Sequence, residues 1–462
     1  MAFSMSSCEI FKFAAFALMP RTTRHLHFKE LIIMNKKIKV GIGFATGRKT
    51  FLKVLRSYIH NWEESGLVDD ANISLNLFVA YDLSYNKTAR KDYTNIHPEL
   101  FKRIDSAKFI SKYSTCKDID NLCDEGVISR EDAKLIFSKG YASQRNAIIY
   151  NAVKHGMDYL IFLDDDEYPV AVTNTRNHTI WSGQHVLDVH IENLKKADIT
   201  HGYHCGYISP IPYIKYNEIL REEDFKEFIT AISNDILSWE KISEVAKNGG
   251  VTYGDIGVLI NKEVRQVEKI NSAKFISGAN LGINLSNPAR LYPFYNPRGA
   301  RGEDTFLSTC ITDRKVLKVP CYTFHDGFST YHHLLEGVLP INLKFISADN
   351  EQIINRFYKA CIGWIRYKPL LLYITQRESY DYDITQIRRK LTNVLPKICD
   401  YFNKPDFANI LTEFDKYDEN VVKHFEEYNM SKKVWKKIMR YLDSDKYVHY
   451  LYKPTKEAAI PF

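Results

Sequence analysis

The chain reads as an α/β protein, with a mostly parallel sheet covered by helices on both faces and a C-terminal helical region after it. Three features predict this. Short β-branched runs alternate with helix-period stretches from Ile38 onward. Residues 159–163 are apolar without a break, as a strand buried on both faces requires. Past about Pro340 the alternation stops, and what remains is helix-patterned and rich in Lys, Tyr and Leu. The expected divisions are therefore an extension at 1–34, an α/β domain at 35–338 and a helical region at 339–462.

The extension is read as non-essential. Residues 10–19 are apolar apart from Lys12, but no positive stretch precedes them and no small-residue cleavage site follows. A second methionine, Met34, opens MNKKIKVGIGFATG, which has the pattern of a domain start. No stretch has the apolar length of a transmembrane helix. The expectation is a cytoplasmic protein.

KIKVGIGFATG predicts a first strand that ends in a Gly- and Thr-bearing loop at Thr46. RKTFLKVLRSYIHNW has helical spacing, with Phe51, Leu55 and Tyr58 or Ile59 on one face. ISLNLFVAYD predicts a second strand ending at Asp82. KLIFSKGYASQRNAIIYNAVKHG predicts a loop and then a helix stopped by Gly156. MDYLIFLDDDEYP is the buried strand, and ADITHGYHCGYISP another strand carrying His201 and His204, read as strand or acceptor-groove residues. Residues 214–248 are charged and helical. KFISGANLGINL predicts a strand or hairpin, YNPRGARGEDTFLSTCI a loop entering a helix, and RKVLKVPCYTFHDG a strand ending at His325. Right-handed crossovers place parallel strand ends on one edge, and ligands bind beyond that edge. The Thr46 loop, Asp82 and the acids after the buried strand are thus expected to converge.

Composition narrows the class. Hydrophobic residues are 45% and charged residues 26%, which excludes a disordered chain. Lys and Arg number 63 against 56 Asp and Glu; a net charge of +7 admits anionic partners without calling for nucleic acid. The eight cysteines form no CxxC pair, so reduced thiols are expected rather than a disulfide or zinc framework. Aromatics at 13% suit stacking on sugar rings, although a Tyr-rich core gives the same figure.

Asp164, Asp165, Asp166 and Glu167 follow the buried strand directly. Like charges so close repel, and beside a low-dielectric core they must take up protons or find a cation. In an extended strand end, Asp164 and Asp166 face one side and Asp165 the other. Two hard oxygen donors suit Mg²⁺ or Mn²⁺. The plain alternative is a solvated acidic turn.

ASQRNAIIYNAVKHGMDYLIFLDDDEYP, FISGANLGINL and RGEDTFLS, in that order and followed by a late His, resemble the central block of family 2-type glycosyltransferases of the GT-A fold. The resemblance covers roughly residues 36–335. It implies a Rossmann-like GT-A domain, a nucleotide-sugar donor, a glycan or lipid-linked acceptor and a Mn²⁺ or Mg²⁺ ion. It implies that Asp164 and Asp166 hold metal and diphosphate, and that Asp165 touches ribose or sugar. By the same resemblance Asp82 would sit by the nucleobase, Arg145 would support the diphosphate or sugar, and Thr46 with its loop would cradle the nucleoside. Gly278 and Asn280 would lie beneath sugar and acceptor. His325 would be the third metal ligand, with His332 and His333 as rivals. Asp304 would be the base, with Glu303 orienting.

An inverting transfer needs a carboxylate to accept the acceptor hydroxyl's proton, which is the work assigned to Asp304. Its plain alternative is a carboxylate complementing a helix N-terminus. The sequence departs from the family in FATGRKT, which lacks the usual Pro-Thr-Tyr wording, and in having no QxxRW motif; inverting and retaining outcomes both stay open. Two other functions stay open as well: nucleotidyl transfer to a sugar phosphate, faintly favoured by GIGFATGRK, and a non-catalytic carbohydrate-binding relative. FYKACIGWIRYKPLLLYI and the basic amphipathic SKKVWKKIMRYL either pack on the α/β domain or touch an anionic membrane surface.

Overall fold

The computed structural model describes residues 37–175, 178–208, 210–233, 239–328, 334 and 337–444. The extension at 1–34, His332 and His333 lie outside the described residues. The strands are β1 Ile38–Thr46, β2 Ile73–Tyr81, β3 Ser106–Ile110, β4 Tyr159–Phe162, β5 Glu167–Tyr168, β6 Val170–Asn174, β7 Thr179–Gly183, β8 Ile199–Gly206, β9 Arg265–Gln266, β10 Leu281–Asn284 and β11 Val316–His325. The helices that frame the site are α1 Phe51–Glu64, α2 Tyr141–Lys154, α3 Val186–Leu194, α4 Glu303–Cys310, α5 Glu351–Thr375, α6 Tyr380–Phe402, α7 Asn409–Glu419 and α8 Val421–Leu442.

Nine strands form one sheet in the order β3-β2-β1-β4-β10-β8-β11-β5, with β9 on β11. The α/β class holds, but the sheet is mixed rather than mostly parallel. β3, β2, β1 and β4 run parallel, then β10 enters antiparallel to both β4 and β8. β8 and β11 are parallel again. Only residues 281–284 of KFISGANLGINL are strand, and the preceding bend turns on Asn280 in the left-handed region, φ 49°. Pro320 lies inside β11, and the register shifts between Lys318 and Tyr322, where its missing N–H interrupts the ladder. The β6–β7 hairpin was not anticipated in the sequence.

Local chemistry sets the remaining elements. α1 buries Phe51, Leu55, Tyr58 and Ile59, the expected face, together with Val54 and Trp62. α2 ends at Lys154, and Gly156 takes φ 68° just beyond it, the conformation that lets a helix stop there. Each fully buried apolar side chain of this kind contributes about 1.5–3 kcal/mol.

The helical region shares its packing with the α/β part. α5, α6 and α7 form a cluster with Phe225, Phe228 and Phe306. α8 returns to the sheet layer, where Val434, Trp435, Ile438, Met439 and Leu442 join Phe78 and Ile148. The apolar faces of both segments are thus covered by protein, the first of the two alternatives, and packing accounts for their amphipathic pattern. Among the described residues no helix is long and apolar enough to cross a membrane.

α5 also seats the loop before α4. Gly302 has φ 89°, and a Cβ there would lie 2.9 Å from the Tyr367 ring. Gly363 of α5 leaves room for the Arg301 stem, which a Cβ would meet at 2.8 Å. Glycines on both sides let the loop carrying Glu303 and Asp304 lie flat on this helix.

Behind the site, Gly202 of β8 faces Asn280, and a Cβ would come within 2.0 Å of the Asn280 amide nitrogen. That amide is fixed by carbonyl partners and has no room to retreat. Gly202→Ala is expected to cost about 2–3 kcal/mol. A urea titration checks this; an unchanged midpoint would show that Asn280 yields freely.

Candidate active site

The ends of β1, β4 and β11 bring a set of charged groups together. Thr46, the last residue of β1, donates its hydroxyl to Asp165 Oδ2 at 2.5 Å. Two residues on, Arg48 places Nε 3.3 Å from Asp165 and Nη1 2.7 Å from Asp166 Oδ2. His325, the last residue of β11, donates Nδ1–H to the Tyr207 carbonyl at 2.6 Å, since a carbonyl can only accept. That tautomer turns Nε2 toward Asp166 Oδ2 at 3.2 Å. The Asp166 carbonyl accepts from the Asp326 N–H at 2.9 Å, which ties the acidic turn to the loop after β11.

A second group adjoins it. Arg145 rises from α2, buried, with its guanidinium 5.1 and 5.5 Å from the Phe162 and Phe294 rings. It donates to Asp164 Oδ1 at 3.1 Å and to the Gly278 carbonyl, and its Nε lies 3.8 Å from Glu303. Asp304 Oδ2 accepts the Gly278 N–H at 3.1 Å and Oδ1 accepts the Thr305 N–H at 2.8 Å. The Gly278 position lies against both groups: a Cβ there would sit 3.4 Å from Arg145 Nη2 and from Asp304 Cβ. Asp164 and Asp304 are thereby joined through Arg145 and Gly278.

The crowded carboxylates divide the available positive charge unequally. Burial pushes Asp164 up to about 6, with Arg145 opposing and Glu167 and Asp166 adding. Burial pushes Asp165 up to about 7 despite Arg48 and Thr46. Asp166 is also buried, but His325 and Arg48 outweigh that and hold it below the usual carboxylate range. In return Asp166 overcomes the burial of His325 and holds the imidazole up to about 9. Burial and the neighbouring Asp304 raise Glu303 above its ordinary value. Glu167 is engaged elsewhere, with His204 at 2.9 Å and Thr323 at 2.7 Å.

Several expected positions shift in detail. Residues 165–166 form a turn, so the strand alternation does not apply: Asp165 and Asp166 share Arg48, while Asp164 pairs apart with Arg145. The Thr46 side chain is 1% exposed and committed to Asp165, so it positions a carboxylate rather than cradling a ligand. Asp82 donates its N–H to the Thr46 carbonyl, and its Oδ1 accepts from the Ser84 N–H and hydroxyl. It opens on a cavity of about 540 Å³ lined also by Tyr113, Phe137, Gly140, Ser143 and Gln144. Asn280 is fully buried, bonded to the Tyr203 and Cys321 carbonyls and to His190 Nε2 at 2.8 Å. It cannot touch a donor, and it fixes the bend instead.

Residues that sequence reasoning missed are Arg48, Tyr85 and Tyr141. The two tyrosine rings meet edge-on at 6.2 Å, and both bear on Arg48. A Cβ on Gly47 would strike Tyr85, its Cβ at 2.8 Å and its ring at 2.9 Å. The available signal was GRK, a cation placed immediately after a strand end.

No protein-family model matches the chain, and no curated protein matches it. The chemistry of the site is therefore read from its own residues.

Among the described residues, no three His, Cys, Asp or Glu side chains stand ready as a metal site. Asp166 Oδ2 and His325 Nε2 form a hydrogen-bonded pair at 3.2 Å, so a divalent cation held between them would take the place of the proton they share. Asp164, its side chain 32% exposed, precedes the turn and pairs with Arg145.

Two buried histidines give the region an acid limit. Burial pushes His201 down to about 3 and His190 down to about 4, with Lys318 adding to the first. Both are neutral when folded and take up protons on unfolding below their ordinary 6.5. Their contribution is fully present above pH 6.5 and falls as pH drops toward 4. Wild-type melting temperature is expected to fall across that range, and His201→Phe, which removes a buried Nε2 that has no partner among the described residues, to flatten the fall. Parallel curves for the two proteins would contradict this.

Proposed function

We propose that the chain is a glycosyltransferase that moves a sugar from a nucleoside diphosphate donor to a hydroxyl of a glycan, lipid-linked sugar or small molecule. One observation carries the reading: the acidic turn and the Arg145–Gly278–Asp304 corner share one rim, with the Asp82 cavity beside it. In this reading Asp164, Asp166 and His325 would hold Mn²⁺ or Mg²⁺, which when bound neutralises charge on the leaving diphosphate. Arg145 stays fixed by Gly278 and orients Asp164. The cavity beyond Asp82 takes the nucleoside, with Tyr113 and Phe137 in its wall. Asp304 uses one lone pair of each oxygen on a backbone N–H and keeps the others for an acceptor hydroxyl. Glu303, its carboxyl raised, shapes the field around it.

A panel of nucleotide sugars with Mn²⁺ tests the proposal through the released product. Release of one nucleoside diphosphate is the expected result. Pyrophosphate from a sugar phosphate and a nucleoside triphosphate would instead support nucleotidyl transfer. Donor binding without any release, with acceptors supplied, would support a binding relative.

A further inference from the structure

Arg356 stands in the early turns of α5, in the helical region and outside every motif singled out in the sequence. Its guanidinium lies 4.6 Å over the Phe328 ring. Its Nη2, His325 Cε1 and the Tyr207 carbonyl oxygen are each 2.8 Å from the point a Cβ would take on Gly327, so the absence of a side chain there lets Arg356 and His325 close on the same place. Arg48 and Arg301 bear on the same place: both push Arg356 down from its ordinary value, after burial, and Asp166 opposes them. Arg48 already spans Asp165 and Asp166, and His325 shares Asp166. Arg356 and Arg301 have no carboxylate at ion-pair distance among the described residues. A part-buried cation beside other cations is costly unless an anion answers it. A divalent ion at Asp166 would add more positive charge to the same corner.

We infer that Arg356, with Arg48 and Arg301, forms an anion site contributed largely by the helical region, and that its occupant is the donor's diphosphate. A planar guanidinium meets two phosphate oxygens at once, which a point charge does not. This assignment deepens the transferase reading and rests on it for the donor's identity. It makes α5 a part of the binding site as well as the seat of the Asp304 loop.

The test uses the full chain with Mn²⁺ and inorganic pyrophosphate as probe, by calorimetry, beside the donor-release assay. Arg356→Gln is expected to weaken pyrophosphate at least tenfold with an unchanged melting temperature, and Arg356→Lys to recover part of the loss. Wild-type affinity in Arg356→Gln, with nucleoside diphosphate still released by the unaltered protein, overturns this inference and leaves the transferase reading standing. Absence of pyrophosphate binding by the unaltered protein overturns it as well. Arg356-dependent pyrophosphate binding in a protein that releases no nucleoside diphosphate supports the anion site while the transferase reading fails.

Discussion

Asp304→Asn is expected to lower turnover by about 10²–10⁴-fold while leaving donor affinity unchanged. The carboxylate is held by two backbone N–H groups, from Gly278 and Thr305. An amide keeps the shape and one of those acceptors but cannot take a proton. The alternative role, a carboxylate at the start of α4, makes the opposite prediction. There the substitution lowers the melting temperature slightly, by about 0.3–1 kcal/mol of helix-terminus stabilisation, and turnover survives. Steady-state rates and a melting curve on the same preparation separate the two. Full activity in Asp304→Asn would exclude the base and favour a retaining mechanism.

Asp166→Asn is expected to remove the cation dependence of donor binding. Losing a hydrogen-bonded support of a metal ligand costs about 10–100-fold in affinity, so losing the ligand itself should cost at least about a hundredfold. The effect reaches further, because Asp166 is the anion that Arg48 and His325 share. Without it His325 loses the partner that holds it up to about 9 and falls back toward neutrality. The measurement is the melting temperature with and without Mn²⁺ and a nucleoside diphosphate. The unaltered protein should be stabilised by the pair, and Asp166→Asn should not. Equal stabilisation of both would place the cation elsewhere.

The strand carrying the acids was legible because burial on both faces leaves an unbroken apolar run, and nothing else in the chain has the form of residues 159–163 followed by four acids. The convergence of Thr46, Asp82 and the acidic turn was legible from parallel topology, since strand ends share an edge. Other features depended on partners distant in sequence. Arg48 looks like any loop arginine until the fold sets it against residues 165 and 166. Asn280 sits in a motif associated with donor contact, yet its left-handed backbone turns its amide into the core against Gly202 and His190. The antiparallel β10 was hidden because a four-residue strand after a bend carries no direction in its periodicity. The role of α5 was hidden for a similar reason. Its pattern records one apolar face, and only the glycines at 302, 327 and 363 mark where loop and helix approach each other.

The most direct test of the account is the position of a manganese ion in crystals grown with Mn²⁺ and a nucleoside diphosphate, located by anomalous scattering. The account predicts a single strong peak at bonding distance from Asp166 and His325, with diphosphate oxygens completing the shell and Arg356 against the far phosphate. Ordered diphosphate with no peak at this turn, or a peak held by other residues, would contradict it.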